Sequence, residues 1–184
     1  MADTKCFIKF SSNDQRKLKL STCLFTISVG QQTHEGEYFR STVDLLSDSF
    51  QSCVMLVDDS LQRHTMAIGR EEGPDFFYDT AIEEGNLWLE RNRMYYSRLK
   101  NLRKIVRWDA WLKHPKFNET KKAIKKLINE DSIYARAFSD SINEFVAKRQ
   151  GRVESDAGFD INRAKKLSFD FILEECAALC LWTE

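Results

Sequence analysis

Cys23-Leu24-Phe25-Thr26-Ile27-Ser28-Val29-Gly30 is the stretch on which the fold turns. It is β-branched and aromatic, and apolar with little alternation. That is the pattern of a parallel strand covered on both faces. Gly30 breaks it. Residues Glu37 to Phe50 then show helical spacing through Tyr38, Val43, Leu45, Leu46 and Phe50. A second apolar run, Cys53-Val54-Met55-Leu56-Val57, follows and closes at Asp58-Asp59. Strand, helix and strand in this order form a β–α–β unit, so the expected fold class is α/β with a parallel sheet flanked by helices.

Upstream, Cys6-Phe7-Ile8-Lys9-Phe10 is β-prone and Ser11–Lys19 reads as a polar loop. Downstream, residues 69–79 read as a loop around Gly73-Pro74. Helices are expected for most of the rest. Ala81 to Trp108 reads as one long helix, with an apolar stripe of Trp88, Tyr95, Leu99, Leu102 and Val106. Arg93, Lys100, Lys104 and Arg107 form a basic stripe on another face. Further helices are expected over Phe117–Leu127, Glu130–Lys148 and Ile161–Trp182, with a loop at Ala157-Gly158. No linker or repeat interrupts residues 1–184, which read as a single domain.

The 28 Lys and Arg match 28 Asp and Glu, so the net charge is zero. The distribution is not neutral. Residues 31–90 sum to −10 and residues 91–126 to +11. The basic segment holds thirteen cations and two acids. An ordinary surface helix interleaves Glu with Lys, whereas this pattern suits a phosphate backbone. Tyr95, Tyr96, Trp108 and Trp111 lie among the cations as candidates for base stacking. A solvated helix face is the simpler reading of the same lysines. No helix-turn-helix or zinc-finger pattern points to double-stranded DNA. No apolar run reaches the ~18 residues of a membrane span, and the start has no apolar leader segment. With five cysteines and no leader, the expected compartment is the reducing cytoplasm. Cys176 and Cys180, one helical turn apart, read as buried thiols, since His34, His64 and His114 have no ligand spacing to them.

Two positions invite chemistry. Ser28 ends a strand taken as central, at the carboxyl edge where open α/β sheets hold ligands. Gly30 allows a sharp turn that leaves backbone N–H groups for an anion. Position 26 is Thr, so the Gly-x-Ser-x-Gly elbow of hydrolases is absent, and an ordinary strand-terminal serine is the simpler reading of these residues by themselves. On the last helix, Phe171, Ile172, Leu173 and Cys176 surround Glu175. A carboxylate in such surroundings would have a raised pKa and could move protons, although two solvated glutamates are the simpler reading. Glu174 is expected to face solvent.

Ile27-Ser28-Val29-Gly30-Gln31, His34-Glu35-Gly36-Glu37-Tyr38-Phe39 and Leu56-Val57-Asp58-Asp59-Ser60-Leu61-Gln62-Arg63 together resemble the tRNA-dependent cyclodipeptide synthases. So do the basic helix after them and Ile172-Leu173-Glu174-Glu175-Cys176-Ala177. The resemblance covers roughly residues 20–182. It implies a Rossmann-type fold similar to the class I aminoacyl-tRNA synthetase catalytic domain, in one catalytic domain, 1–184. It implies an aminoacyltransferase that joins two aminoacyl-tRNAs into a cyclic dipeptide by a ping-pong route, without cofactor, ATP or metal. Carried over by position, Ser28 is the nucleophile and Glu175 holds the substrate amine and moves protons. Gly30 is our candidate for the oxyanion turn. Thr26, Met55 and Gln31 fall at the substrate pocket. Arg91, Arg93, Arg98, Lys100, Arg103, Lys104 and Arg107 fall on the tRNA-binding helix. The implied partners are aminoacyl-tRNAs, with no membrane or DNA, and a monomer is the default.

Three departures qualify this. Phe171 stands where the family usually has a catalytic Tyr. Gln31 stands where one subfamily has Asn, which places the chain nearer the subfamily lacking it. That subfamily continues to a final strand, whereas this sequence stops at Trp182-Thr183-Glu184. Two alternatives therefore stay open: a tRNA- or RNA-binding module without catalysis, and a serine acyltransferase independent of tRNA.

Overall fold

The computed structural model describes residues 18–150 and 159–182. The expected strand at Cys6–Phe10, most of the Ser11–Lys19 loop and the Ala157-Gly158 loop lie outside them. The chain divides into two compact units. The first comprises the described residues up to Asp59 together with Ile82–Trp108. The second comprises Ser60–Ala81 and the described residues from Asp109 onward.

The first unit is built on the expected β–α–β element. Strand β1 (Thr22–Ile27), helix α1 (Gly36–Ser49) and strand β2 (Ser52–Val57) follow in order. β1 and β2 pair in parallel from Thr22↔Ser52 to Ile27↔Val57. A third parallel strand, β3 (Leu102–Arg107), lies on the other side of β2. The order β1-β2-β3 puts β2 in the middle, with all six residues buried. Among the described residues β1 is an edge strand, so Ser28 follows the edge and not the centre of the sheet.

Alternation sorts β2 into two faces. Cys53, Met55 and Val57 pack with Ile27 on Phe39, Val43 and Leu46 of α1, and on Trp88 and Leu99. Phe39, Val43 and Leu46 recur at helical spacing on the buried face of α1. Each such side chain contributes roughly 1.5–3 kcal/mol when fully buried.

The long helix expected over 81–108 is not formed. Helix α3 (Pro74–Arg91) ends at Asn92, a single turn, α4 (Arg93–Tyr96), follows, and β3 begins at Leu102. Leu99, Leu102 and Val106 fit a helical stripe by spacing, but Ile105 and Val106 are β-branched and β2 offers a free edge. Pairing with β2 outweighs the local periodicity. A register shift between Cys53 and Val54 leaves Arg103 as an extra residue on β3. This bulge lets both Arg103 and Lys104 point outward, against strict alternation. The loop expected over 69–79 is also shorter. Pro74 opens α3, because a first-turn N–H has no helical acceptor to lose.

In the second unit, the short helices α2 (Arg63–Met66) and α5 (Asp109–Leu112) accompany three longer ones. These are α6 (Phe117–Glu130), α7 (Ser132–Gln150) and α8 (Ile161–Trp182). The last helix has the bounds read from the sequence. Aromatic pairs join the helices: Phe138 with Phe169 at 5.9 Å, and Phe145 with Phe171 at 5.8 Å. No helix among the described residues is long and apolar enough to cross a membrane.

Candidate active site

Ser28 sits immediately after β1, in a turn closed by Gln31 N–H donating to its carbonyl at 3.1 Å. Gly30 occupies the third position with φ +84°, a value that side chains with a Cβ rarely adopt. The turn has a partner the sequence did not suggest. The backbone N–H of Ser28 donates to Nδ1 of His34 at 2.9 Å. Burial pushes the His34 imidazole below its ordinary pKa, against the Ser28 backbone and Glu35, which both raise it. The neutral ring therefore accepts at Nδ1. Trp88 Nε1–H in turn donates to the His34 carbonyl at 3.0 Å.

Glu35 continues this frame. Its carboxylate accepts from Arg91 at 2.7 and 3.2 Å and from Asn92 at 2.8 Å. Burial alone would raise the Glu35 pKa, but these bonds lower it. His34-Glu35-Gly36 thus ties the serine turn to the end of α3, and Gly36 starts α1 at φ +54°.

Thr26 and Met55, expected at one pocket, lie on opposite faces of the sheet. Phe25 pairs with Met55 and Thr26 with Leu56, so Met55 points into the core with 0% exposure. Leu56 shares the face of Thr26. A one-residue offset decides this because side chains alternate along a strand. Gln31 is exposed at the end of the turn.

Asp58-Asp59 closes β2. Asp59 is fully buried and receives Arg107 Nε, while the Trp108 N–H donates to its other oxygen at 3.3 Å. A Cβ at Gly85 of α3 would come within 2.6 Å of the Asp59 Cβ and 2.8 Å of Arg107. Glycine is required there for the close approach.

The second unit carries the glutamate pair. Glu175 is half-buried on α8, and burial raises its pKa. Glu174, expected in solvent, is instead 4% exposed. Arg63 Nη2 reaches both its oxygens at 2.8 Å, Lys121 Nζ lies at 3.0 Å and His64 Nε2 at 3.4 Å. Burial would raise its pKa, but His64, Arg63 and Lys121 hold it at about 2. Adjacent residues on a helix point about 100° apart, and the cations turn Glu174 inward. Phe171 is half-buried and stacks on Phe145 with an interplanar angle of 29°.

A search of solved structures found a CDPS, or cyclodipeptide synthase, from Fluoribacter dumoffii that is 35% identical, with a TM-score of 0.91, over 97% of this chain and 79% of that one. This chain belongs to the cyclodipeptide synthase family. AlbC, a cyclodipeptide synthase from Streptomyces noursei, matches at 14% identity and TM-score 0.64, over 85% of this chain and 74% of that one. A Mycobacterium tuberculosis protein matches at 11% identity and TM-score 0.58, over 91% and 70%. Its structure is described as demonstrating that cyclodipeptide synthetases are related to type I tRNA synthetases. This chain shares with these neighbours the fold of a parallel sheet flanked by helices. No protein-family model and no curated protein matched the chain.

The basic residues of this chain do not share one helix. Arg91 ends α3, Arg93 opens α4, Arg98 and Lys100 lie between α4 and β3, and Arg103, Lys104 and Arg107 belong to β3. Three are engaged within the first unit: Arg91 with Glu35, Arg98 with Asp44 at 3.4 Å, and Arg107 with Asp59. Arg93, Lys100, Arg103 and Lys104 are exposed. Two of the aromatics proposed for base stacking pack inward. Trp108 is 1% exposed, and Tyr96 stacks on Trp88 at 6.4 Å. Cys180, expected to be buried, is exposed, and Cys176 is half-buried.

Proposed function

We propose that this synthase joins two aminoacyl groups, delivered as aminoacyl-tRNAs, into a 2,5-diketopiperazine. What carries the reading is Ser28 in its strand-end turn, in a chain 35% identical to a cyclodipeptide synthase. Ser28 Oγ attacks the ester carbonyl of the first aminoacyl-tRNA, and the freed ribose hydroxyl takes the proton. The resulting ester holds the first residue on the enzyme. Its amine attacks the ester carbonyl of the second aminoacyl-tRNA, whose ribose hydroxyl leaves with the proton, and a dipeptidyl ester remains on Ser28. The terminal amine then attacks that ester, closes the ring and returns the hydroxyl to Ser28. Aminoacyl esters are already activated, so the sequence of steps consumes no ATP.

Residues 1–184 serve this reaction as one catalytic domain. His34 supports the nucleophile by fixing the Ser28 backbone, and N–H groups about Gly30 stabilise the oxyanion. Glu175, with its raised pKa, suits the transfer of protons to and from the substrate amine. Thr26 lines the first side-chain pocket, with Leu56 buried on the same face of the sheet. Arg93, Lys100, Arg103 and Lys104 bind tRNA phosphates. Gln31 supports a position nearer the subfamily lacking Asn there. The enzyme acts in the cytoplasm as a monomer.

Expression in a bacterium followed by mass spectrometry of the medium tests the reading. Diketopiperazines should accumulate and vanish with Ser28→Ala. Phe171 favours a second reading, a module that binds tRNA without catalysis, because it lacks the hydroxyl of the usual Tyr. Under that reading the wild type yields no product while charged tRNA binds with a steep salt dependence, and Phe171→Tyr, which restores the hydroxyl, is the control.

A further inference from the structure

Glu174 is not used in the scheme above, yet it has the densest ionic environment among the described residues of the second unit. It is 4% exposed on α8 and meets three basic side chains from two other elements. Arg63 grips it with one nitrogen at 2.8 Å from both oxygens, and its other terminal nitrogen donates to the Ser60 carbonyl at 2.6 Å. Lys121 comes from α6 and His64 from α2. Such a cluster is a weak source of net stability, because removing charges from water offsets most of the Coulomb attraction. It is a strong source of orientation. Ion pairs from two directions hold one side chain and leave a helix little freedom to rotate or slide.

We propose that Glu174 is the positioning residue for Glu175: held by Arg63, His64 and Lys121 together, it sets the rotation of α8 and hence the direction in which Glu175 presents its carboxyl. The inference rests on Glu175 being the group that moves protons in the reaction. A misplacement of about 1 Å at a reacting group can lower a rate about 10²-fold. The buried partner of the pair is thus the one that decides where the functional partner stands.

The test uses the full chain supplied with aminoacyl-tRNA. Glu174→Gln keeps the side-chain length but removes the charge. It should lower turnover about 10²-fold, with KM for aminoacyl-tRNA within about twofold, if it acts through orientation. The double variant Glu174→Gln/Glu175→Gln should be no slower than Glu175→Gln alone. A purely structural role would instead make the two losses multiply. Arg63→Lys retains the charge but loses the forked geometry. It should show the same non-additivity with Glu175→Gln and serves where Glu174→Gln does not fold. Multiplying losses, or wild-type turnover in Glu174→Gln, would overturn the inference alone. Absence of product from the wild type, or an unimpaired Glu175→Gln, would overturn the functional reading and the inference with it.

Discussion

The backbone N–H of Ser28 and Nδ1 of His34 are joined by a 2.9 Å hydrogen bond across six residues. The bond links the turn bearing the proposed nucleophile to a short helical turn, which Trp88 anchors at the His34 carbonyl. His34→Phe removes the acceptor and keeps a ring. It should slow formation of the aminoacyl-enzyme about 10- to 100-fold, as positioning is lost. Mass spectrometry of protein trapped with aminoacyl-tRNA reads this directly.

The same hydrogen bond makes a pH prediction. Burial lowers the His34 pKa in the folded state, so the unfolded chain binds the proton more readily. His34 should therefore cost stability as pH falls below about 6.5. Wild-type thermal midpoints should drop more steeply than those of His34→Phe between pH 7 and pH 5. Parallel curves would show that the ring does not titrate in this way.

Adjacent carboxylates on α8 should respond oppositely to neutralisation. The folded pKa of Glu174 is depressed to about 2, so its contribution is present above the unfolded value and is lost as acid is added. The folded pKa of Glu175 is raised by burial, so ionisation opposes folding as pH rises past about 4.3. At pH 7, Glu175→Gln should raise the melting temperature and Glu174→Gln should lower it. The gain from Glu175→Gln should disappear below about pH 4. Differential scanning calorimetry at pH 7 and pH 3.5 distinguishes the two.

Gly85 lies inside α3, where Ala ordinarily stabilises by roughly 0.8–1 kcal/mol. Here the added Cβ would meet Asp59 Cβ at 2.6 Å, within the buried pair that Asp59 makes with Arg107. Gly85→Ala should destabilise by about 1–3 kcal/mol, as overpacked cores do. Denaturant unfolding measures the sign. A stabilised variant would mean that the pair gives way without cost.

The engaged and exposed cations of residues 91–107 should separate by phenotype. Arg103→Glu and Lys104→Glu should weaken tRNA binding and reduce the salt slope by about 0.7–0.9 for each phosphate no longer neutralised. Their melting temperatures should stay near wild type. Arg107→Ala should instead leave the buried Asp59 carboxylate without its guanidinium and destabilise by about 3–5 kcal/mol. Filter binding across salt, beside thermal melts, checks both halves.

Strand pairing separates two neighbouring residues in the same manner. Met55→Ala should cost about 2–5 kcal/mol, as for other core truncations. Leu56→Ala, at a side chain 1% exposed but on the face of Thr26, should cost as much and should also alter which amino acids appear in the product. A change of product with Met55→Ala alone would contradict the register assigned to β1 and β2.

Local pattern was enough for the β–α–β element and for the last helix. Cys23–Val29 and Cys53–Val57 carry apolar runs bounded by Gly30 and Asp58, and Ile161–Trp182 keeps a helical spacing to its end. Such signals lie within one element, where backbone preference and side-chain period act together. The turn at Gly30 and the partly buried setting of Glu175 were also legible, because a turn glycine and an apolar flank are local features. Other decisions were made at a distance. Leu102–Arg107 matches a helix by period, and only the edge of β2 makes it a strand. Met55 and Leu56 cannot be told apart without the register, since a shift of one residue exchanges the faces. His34 reaches Ser28 only because the turn folds back, and Glu174 is buried only because Arg63 and Lys121 converge on it from residues 111 and 53 positions away. A single charge has no periodicity to mark it, so its burial depends on which partners the tertiary structure brings to it.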